Sequence, residues 1–204
     1  MSSAASGIVR IMENTLAYRL WQAPFAERKL DPIRASGGFD GIRRVLDVGC
    51  GPGTNTHHFA GADYLGMDIN PGYIADARRR HRREFIVADV TTYTVDPRER
   101  FDFILVNSLL HHLSTPDVTR LLRHLSTLLS DDGHVHILDL VLPTERSISR
   151  RLARWDRGDY PRPLEEWRRL FGDAFEPVHF EPYALSALGT PLWRMVYFKG
   201  RARS

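Results

Sequence analysis

Three observations predict a doubly wound α/β fold, with a mostly parallel seven-stranded sheet covered by helices on both faces and an antiparallel last strand. Short β-branched and apolar runs alternate with stretches of helical periodicity, the first of those runs ends at a glycine cluster, and the last two runs stand too close together for a parallel crossover. The 204 residues suffice for one domain. A make-up of 43% hydrophobic, 26% charged and 10% aromatic residues is that of a folded chain and excludes disorder as the main state.

Ahead of the first strand, helical stretches at about residues 8–21 and 24–35, joined at Pro24, are expected to form an N-terminal helical lid over residues 1–42. Arg44-Val45-Leu46-Asp47-Val48 reads as a buried parallel strand that stops at Gly49. A short helix through Phe59 and a strand at residues 64–67 follow. Asn70 supplies an N-cap and Pro71 the first helical position for a helix to about Arg82. Residues 85–88 and 101–106 read as strands three and four. Ser114 and Asp117 have capping-box spacing, and Val118, Leu121, Leu122, Leu125, Leu128 and Leu129 form the apolar stripe of the helix behind them. Asp131-Asp132-Gly133 is expected to end that helix and to feed strand five, residues 135–141, which Pro143 closes. Residues 43–141 thus form a ligand-binding core. Residues 142–204 add a helix at 164–171 and antiparallel strands at 178–183 and 193–199.

Composition removes several chemistries. Cys50 is the single cysteine, so there is neither an internal disulfide nor a cysteine-based zinc site. Lys29 and Lys199 are the only lysines among 28 basic residues, and neither follows a glycine-rich loop, which excludes P-loop and Schiff-base enzymes. No run approaches the roughly 20 apolar residues that span a bilayer, and a cytoplasmic protein without integral membrane association is expected. The basic run 78–83 contains no aromatic residue and ends a helix, so it reads as surface, with no nucleic-acid partner expected.

In an open sheet of this kind the ligand lies beyond the carboxyl ends of the strands, where the strand order reverses next to strand one. Gly49-Cys50-Gly51-Pro52-Gly53 stands there. It is either a tight strand-to-helix turn or a cradle that admits an uncharged ribose and an amino-acid tail. The third glycine of the dinucleotide pattern would fall at Thr54, which disfavours a nicotinamide oxidoreductase.

Val45-Leu46-Asp47-Val48-Gly49-Cys50-Gly51-Pro52-Gly53 resembles motif I of the class I S-adenosylmethionine-dependent methyltransferases. Tyr64-Leu65-Gly66-Met67-Asp68-Ile69, Val87-Ala88-Asp89-Val90 and Phe101-Asp102-Phe103-Ile104-Leu105-Val106-Asn107 resemble, in order, the second strand with its terminal acid, the adenine-contacting segment and the fourth strand. The resemblance covers about residues 43–141, and Leu110-His111-His112-Leu113 and Asp132-Gly133-His134-Val135 make it most similar to the ubiquinone/menaquinone-type and other small-molecule methyltransferases. It implies a Rossmann-like fold, S-adenosyl-L-methionine as cofactor and in-line methyl transfer to a small-molecule acceptor. The alternative from another class is a catalytically silent cofactor-binding subunit that stabilises or activates a partner.

The resemblance also implies roles, each with a physical reason. Asp68, 19 positions after Gly49, accepts the ribose hydroxyls, and Ile69 lies against the adenine face. Asp89 accepts the exocyclic amine while the Val90 amide answers a ring nitrogen; by itself Asp89 could equally cap a turn. Asp47 and the Asn107 carbonyl receive the methionine ammonium, and Gly49, Cys50, Gly51 and Gly53 supply the cradle. His111 and His112 follow strand four at the rim, where either could take a proton from an acceptor or instead pack and cap. Tyr18 and Trp21 either close over the donor or pack on the sheet. Arg150, Arg151 and Arg154 lie on an expected amphipathic helix, with Arg150, Arg154 and Arg157 on one face and Ile148, Leu152 and Trp155 on another. They are either solvated or clamp an acceptor carboxylate or phosphate. Adjacent His57 and His58 point about 100° apart on a helix, so no metal is expected.

Overall fold

The computed structural model describes residues 25–145, 147–155, 159–187 and 189–203. In chain order the elements are α1 (Asp31–Ala35), β1 (Arg44–Val48), β2 (Asp63–Asp68), α2 (Pro71–Arg80), β3 (Glu84–Val87), β4 (Phe101–Asn107), α3 (Thr115–Leu128), β5 (Leu129–Leu140), α4 (Ile148–Trp155), α5 (Leu164–Ala174), β6 (Phe175–Ala187) and β7 (Thr190–Ala202). The seven strands form one sheet in the order β3-β2-β1-β4-β5-β7-β6. All pairs from β3 across to β5 are parallel, and β7 runs antiparallel to both β5 and β6, as the sequence predicts.

Alternation along the strands sorts the core into two layers. Leu46, Val48, Ile104 and Val106 face the stripe of α3, Val118, Leu121, Leu122 and Leu125, together with Trp167 and Phe171 of α5. Val45, Phe103 and Leu105 face Ile33 of α1 and Ile74 and Ala77 of α2. The caps are the expected ones: the Asn70 side chain accepts from the Gly72 and Tyr73 amides, and Ser114 Oγ accepts from the Asp117 amide.

Several boundaries differ from the sequence reading. Helix α3 ends at Leu128, and Asp131-Asp132-Gly133 lies inside β5 rather than terminating the helix. The ladder slips there, Phe101 pairing with Leu129 but Phe103 with His134, and a Cβ on Gly133 would stand 2.6 Å from the Phe101 carbonyl oxygen. Glycine therefore serves a close backbone approach at a bulge. The expected helix at 24–35 is broken by a 3₁₀ turn, Arg28–Leu30, and the segment after the glycine loop is likewise a 3₁₀ turn, Thr56–Phe59. The last two strands run 13 residues each, with Pro177 and Pro182 accommodated because β6 is the sheet edge. The expected helix at 8–21, with Tyr18 and Trp21, lies outside the described residues. No helix among the described residues is long and apolar enough to cross a membrane.

Trp167 locks α5 to the end of β5: it is fully buried, its Nε1 donates to the Leu140 carbonyl at 2.9 Å, and its ring stacks on Phe171. Trp167→Ala leaves both a cavity and an unpaired carbonyl, and its denaturant midpoint should correspond to a loss of about 3–5 kcal/mol.

Candidate active site

The carboxyl ends of β1, β2 and β4 converge where the order reverses. Asp47, on β1, is 1% exposed and its Oδ2 accepts from the Tyr64 hydroxyl at 2.8 Å. Its Oδ1 has no hydrogen-bond partner among the described residues; the Asn55 side chain stands near without closing a bond that satisfies it. Burial pushes the Asp47 carboxyl up to about 6, against the pull of the Tyr64 hydroxyl.

The chain leaves β1 through Gly49, Gly51 and Gly53, all at positive φ (69°, 55° and 80°). At Gly51 nothing lies within 4 Å of where a Cβ would be, so the loop faces open space. At Gly53 a Cβ would stand 2.8 Å from the His81 ring. Cys50 is buried, and burial raises its thiol far above the ordinary range, so it is an inert packing residue. Asp68, at the tip of β2, accepts from the Gly51 amide at 2.9 Å and from the Asn70 amide at 2.8 Å. It therefore also holds the loop in shape, a structural role the sequence reading does not assign.

A cavity of about 220 Å³ opens beside it, lined by Gly49, Asp68, Ile69, Asp89, Val90 and Leu109 among others. Ile69 is 74% exposed, an apolar surface that the described residues leave uncovered. Asp89 Oδ1 accepts from the Thr91 amide at 2.9 Å and from the Thr91 hydroxyl at 2.7 Å, and these bonds hold the carboxyl below its ordinary range. At the end of β4, Asn107 donates to Asn55 at 3.4 Å and accepts from Ser108 at 3.1 Å. Ser108 is the one non-glycine residue at positive φ among the described residues, and its hydroxyl also accepts from Lys29 Nζ at 3.1 Å.

The two rim histidines are in different surroundings. His112 is exposed, whereas His111 is buried with Nδ1 2.6 Å from Asp139 Oδ1. Asp139 is fully buried and accepts from the Leu110 amide through Oδ2. Arg162, 3% exposed, donates to the Leu110 carbonyl at 3.1 Å and the Leu113 carbonyl at 2.7 Å, fixing the turn that carries His111. Asp139, Arg162, Lys29 and Ser108 escaped the sequence reading. A lone acid inside an apolar strand, Ile137-Leu138-Asp139-Leu140, is the signal that could have found the first.

Arg150 donates to the Pro143 and Thr144 carbonyls and so braces its own preceding loop, Arg151 is exposed, and the Arg154 side chain, Arg146 and Arg157 lie outside the described residues. The described buried face of α4 is Ser149 and Ala153, with Leu152 only half-buried. A second cavity, about 490 Å³, lies beyond the end of β5 between Leu142, Thr144, Leu164, Tyr183, Arg194 and Met195. His57 and His58, expected to diverge, instead tilt together on their 3₁₀ turn with ring centroids 3.9 Å apart.

Residues 45–133 match the methyltransferase domain family. The chain is 33% identical over 168 residues to the trans-aconitate 2-methyltransferase of Escherichia fergusonii, which covers 78% of this chain and 62% of the relative. It is 29% identical over 147 residues to the ubiquinone biosynthesis O-methyltransferase of Rhodopseudomonas palustris, covering 63% of this chain and 57% of the relative. The chain thus spans less than two thirds of either relative's length. Among solved structures, the N-methyltransferase NodS from Bradyrhizobium japonicum, in complex with S-adenosyl-L-homocysteine, shares the fold with a TM-score of 0.66 at 18% identity, over 87% of each chain.

The buried Asp47 gives a pH test. Its native carboxyl titrates at about 6 against an ordinary value of 3.8, so the native state binds this proton more tightly than the unfolded chain does, and stability is lost as pH rises through that window. Asp47→Asn, which keeps an acceptor for Tyr64, should gain on the wild type by up to about 3 kcal/mol between about pH 4 and about pH 7 in denaturant titrations. An unchanging difference would mean that the carboxyl is not perturbed.

Proposed function

We propose that this chain is a class I S-adenosylmethionine-dependent methyltransferase that moves a methyl group by in-line displacement to a small-molecule acceptor, with residues 43–141 as its cofactor-binding core. The observation that carries this reading is the unsatisfied, buried Oδ1 of Asp47 beside a glycine loop that faces open space. Such an oxygen suits the cofactor's ammonium, and the exposed Ile69 and the neighbouring cavity suit an adenine. When bound, S-adenosylmethionine supplies an electrophilic methyl group on its sulfonium.

The protein residues bind, orient and move a proton. Asp47 and the Asn107 carbonyl would hold the ammonium, Asp68 the ribose hydroxyls, Asp89 and the Val90 amide the adenine edge. Asp68 is anchored for this by two backbone amides, which fix its carboxylate in one orientation. His111 is the candidate base and Asp139 its positioning residue: the bond to Nδ1 sets the tautomer and would stabilise the imidazolium formed when the ring takes a proton. His112 is exposed at the rim. A built acid–base pair of this kind favours an enzyme over a catalytically silent subunit.

The acceptor would enter by the cavity beyond β5, whose first wall residue, Val141, is two positions past Asp139. Residues 142–204 would then face the acceptor. Arg194, on the cavity wall, would offer a guanidinium to an anionic group of the acceptor. Holding donor and acceptor in line and excluding water can supply about 7–11 kcal/mol.

Calorimetric titration with S-adenosylhomocysteine tests the cofactor assignment: Asp68→Asn should weaken binding by about 10- to 100-fold, and unchanged affinity would refute the ribose role. Turnover tests the base. With an acceptor that must lose a proton, His111→Ala should lower kcat by about 10² or more with donor affinity nearly kept, while His112→Ala stays near wild type. Near-normal turnover in His111→Ala would leave catalysis to positioning alone.

A further inference from the structure

Glu27, His57 and His58 stand apart from the crevice, and nothing in the proposed transfer uses them. One ligand atom from each lies within 4.8 Å of the other two. His57 Nε2 is 3.1 Å from Glu27 Oε1, and His58 Nε2 is 3.5 Å from Glu27 Oε2. Ligands bonded to zinc at about 2.0–2.2 Å in a tetrahedron stand about 3.3–3.6 Å from one another. One observed separation falls inside that range and the other just below it, as in a ligand set already drawn together.

Each side chain is also held from behind. His57 Nδ1 lies 3.1 Å from the Thr54 carbonyl, which can only accept, so Nδ1 donates, and in the neutral ring Nε2 holds the lone pair that a metal needs. The His58 ring stacks on Phe39 with centroids 4.9 Å apart and planes 12° from parallel. Its Nε2 is buried and has no hydrogen-bond partner among the described residues. Glu27 is anchored through Oε2 by Arg34 at 2.7 Å, and Arg34 also pairs with Asp31 at 2.8 Å. Two carboxylates therefore share one guanidinium, which leaves the cluster net negative. Glu27 and His57 are exposed, so solvent can complete a coordination shell.

We propose that Glu27, His57 and His58 bind a divalent transition-metal ion of the zinc type, which staples the segment before α1 to the 3₁₀ turn that follows the glycine loop. The staple joins two segments that both reach the crevice. Lys29, two residues past Glu27, meets Ser108, and Asn55, two residues before His57, meets Asn107. Metal occupancy raises thermal stability; on the cofactor reading above it also tightens donor binding, but metal binding itself is independent of that reading.

The test uses the full chain without a histidine tag, stripped with a chelator and dialysed against Zn²⁺ or Co²⁺. Elemental analysis should give one metal ion per chain, the Co²⁺ form should show the intense visible bands of a four- or five-coordinate site, and the melting temperature should rise with Zn²⁺ and fall back with chelator. His57→Ala and Glu27→Gln replace exposed side chains, so both variants should fold, as circular dichroism will check, and each should weaken Zn²⁺ binding at least about tenfold. His179→Ala, a surface histidine elsewhere, should leave it unchanged. Absence of stoichiometric metal, or equal binding in the wild type and both site variants, overturns the proposal. Loss of S-adenosylhomocysteine binding with metal binding intact would count against the cofactor reading and leave the metal site standing.

Discussion

Because β1 pairs with β2 on one side and β4 on the other, the connections leaving β1 and β4 at their carboxyl ends part to opposite faces of the sheet. A crevice opens between them, and the rest of the molecule depends on it. The loop at Gly49 to Gly53 turns through positive φ to clear that space, and Asp68 reaches across from β2 to hold the loop's Gly51 amide. Asp47 is trapped beneath with a single hydroxyl partner. Raising its carboxyl from 3.8 to about 6 costs the native state about 3 kcal/mol at neutral pH. A cation arriving at the floor of the open crevice would recover that penalty.

A second buried charge system shapes the neighbouring strand end. Asp139 would be an uncompensated charge in β5 were it not bonded to His111 Nδ1 and the Leu110 amide, and its own strand provides a third donor in the Leu140 amide. Arg162 stands over the same turn, donating to the Leu110, Leu113 and Tyr160 carbonyls and pairing with Glu166 at 3.3 Å. Its guanidinium lies 4.9 Å from the Trp167 ring. The core packing of α5 is thereby transmitted to a backbone turn, and the turn to the orientation of one imidazole.

The parts of this arrangement that were legible in the sequence are those governed by local rules. Buried parallel strands show as β-branched runs, Asn70-Pro71 and Ser114 write their own caps, and a glycine cluster after a strand marks a strained turn. Boundaries set by distant partners were not legible. Nothing near Gly133 announces that the Phe101 carbonyl will press against it, so Asp131-Asp132-Gly133 reads as a helix stop when it is a bulge in β5. Asp139 and His111 are 28 residues apart and Arg162 and Leu110 are 52 apart, so no periodicity connects them. Arg162 is further hidden among neighbours of its own kind, since a chain that writes Arg for nearly every cation gives no compositional sign of the one that is buried.

The same distinction separates the two halves of the site. The crevice is built from strand tips whose positions the parallel ladder fixes, so residue type and spacing are enough to find it. The cavity beyond β5 takes its walls from the β5 end, α5 and the edge hairpin of β6 and β7, brought together only by the completed sheet. An edge hairpin can change its side chains without disturbing the β1–β4 pairing. Tyr183 joins the two. It lines the cavity from β6, and its hydroxyl donates to the Lys29 carbonyl at 2.9 Å, while Lys29 Nζ reaches Ser108 at the end of β4. One side chain and one backbone segment thus link the cavity wall to the residue beside Asn107 at the mouth of the crevice.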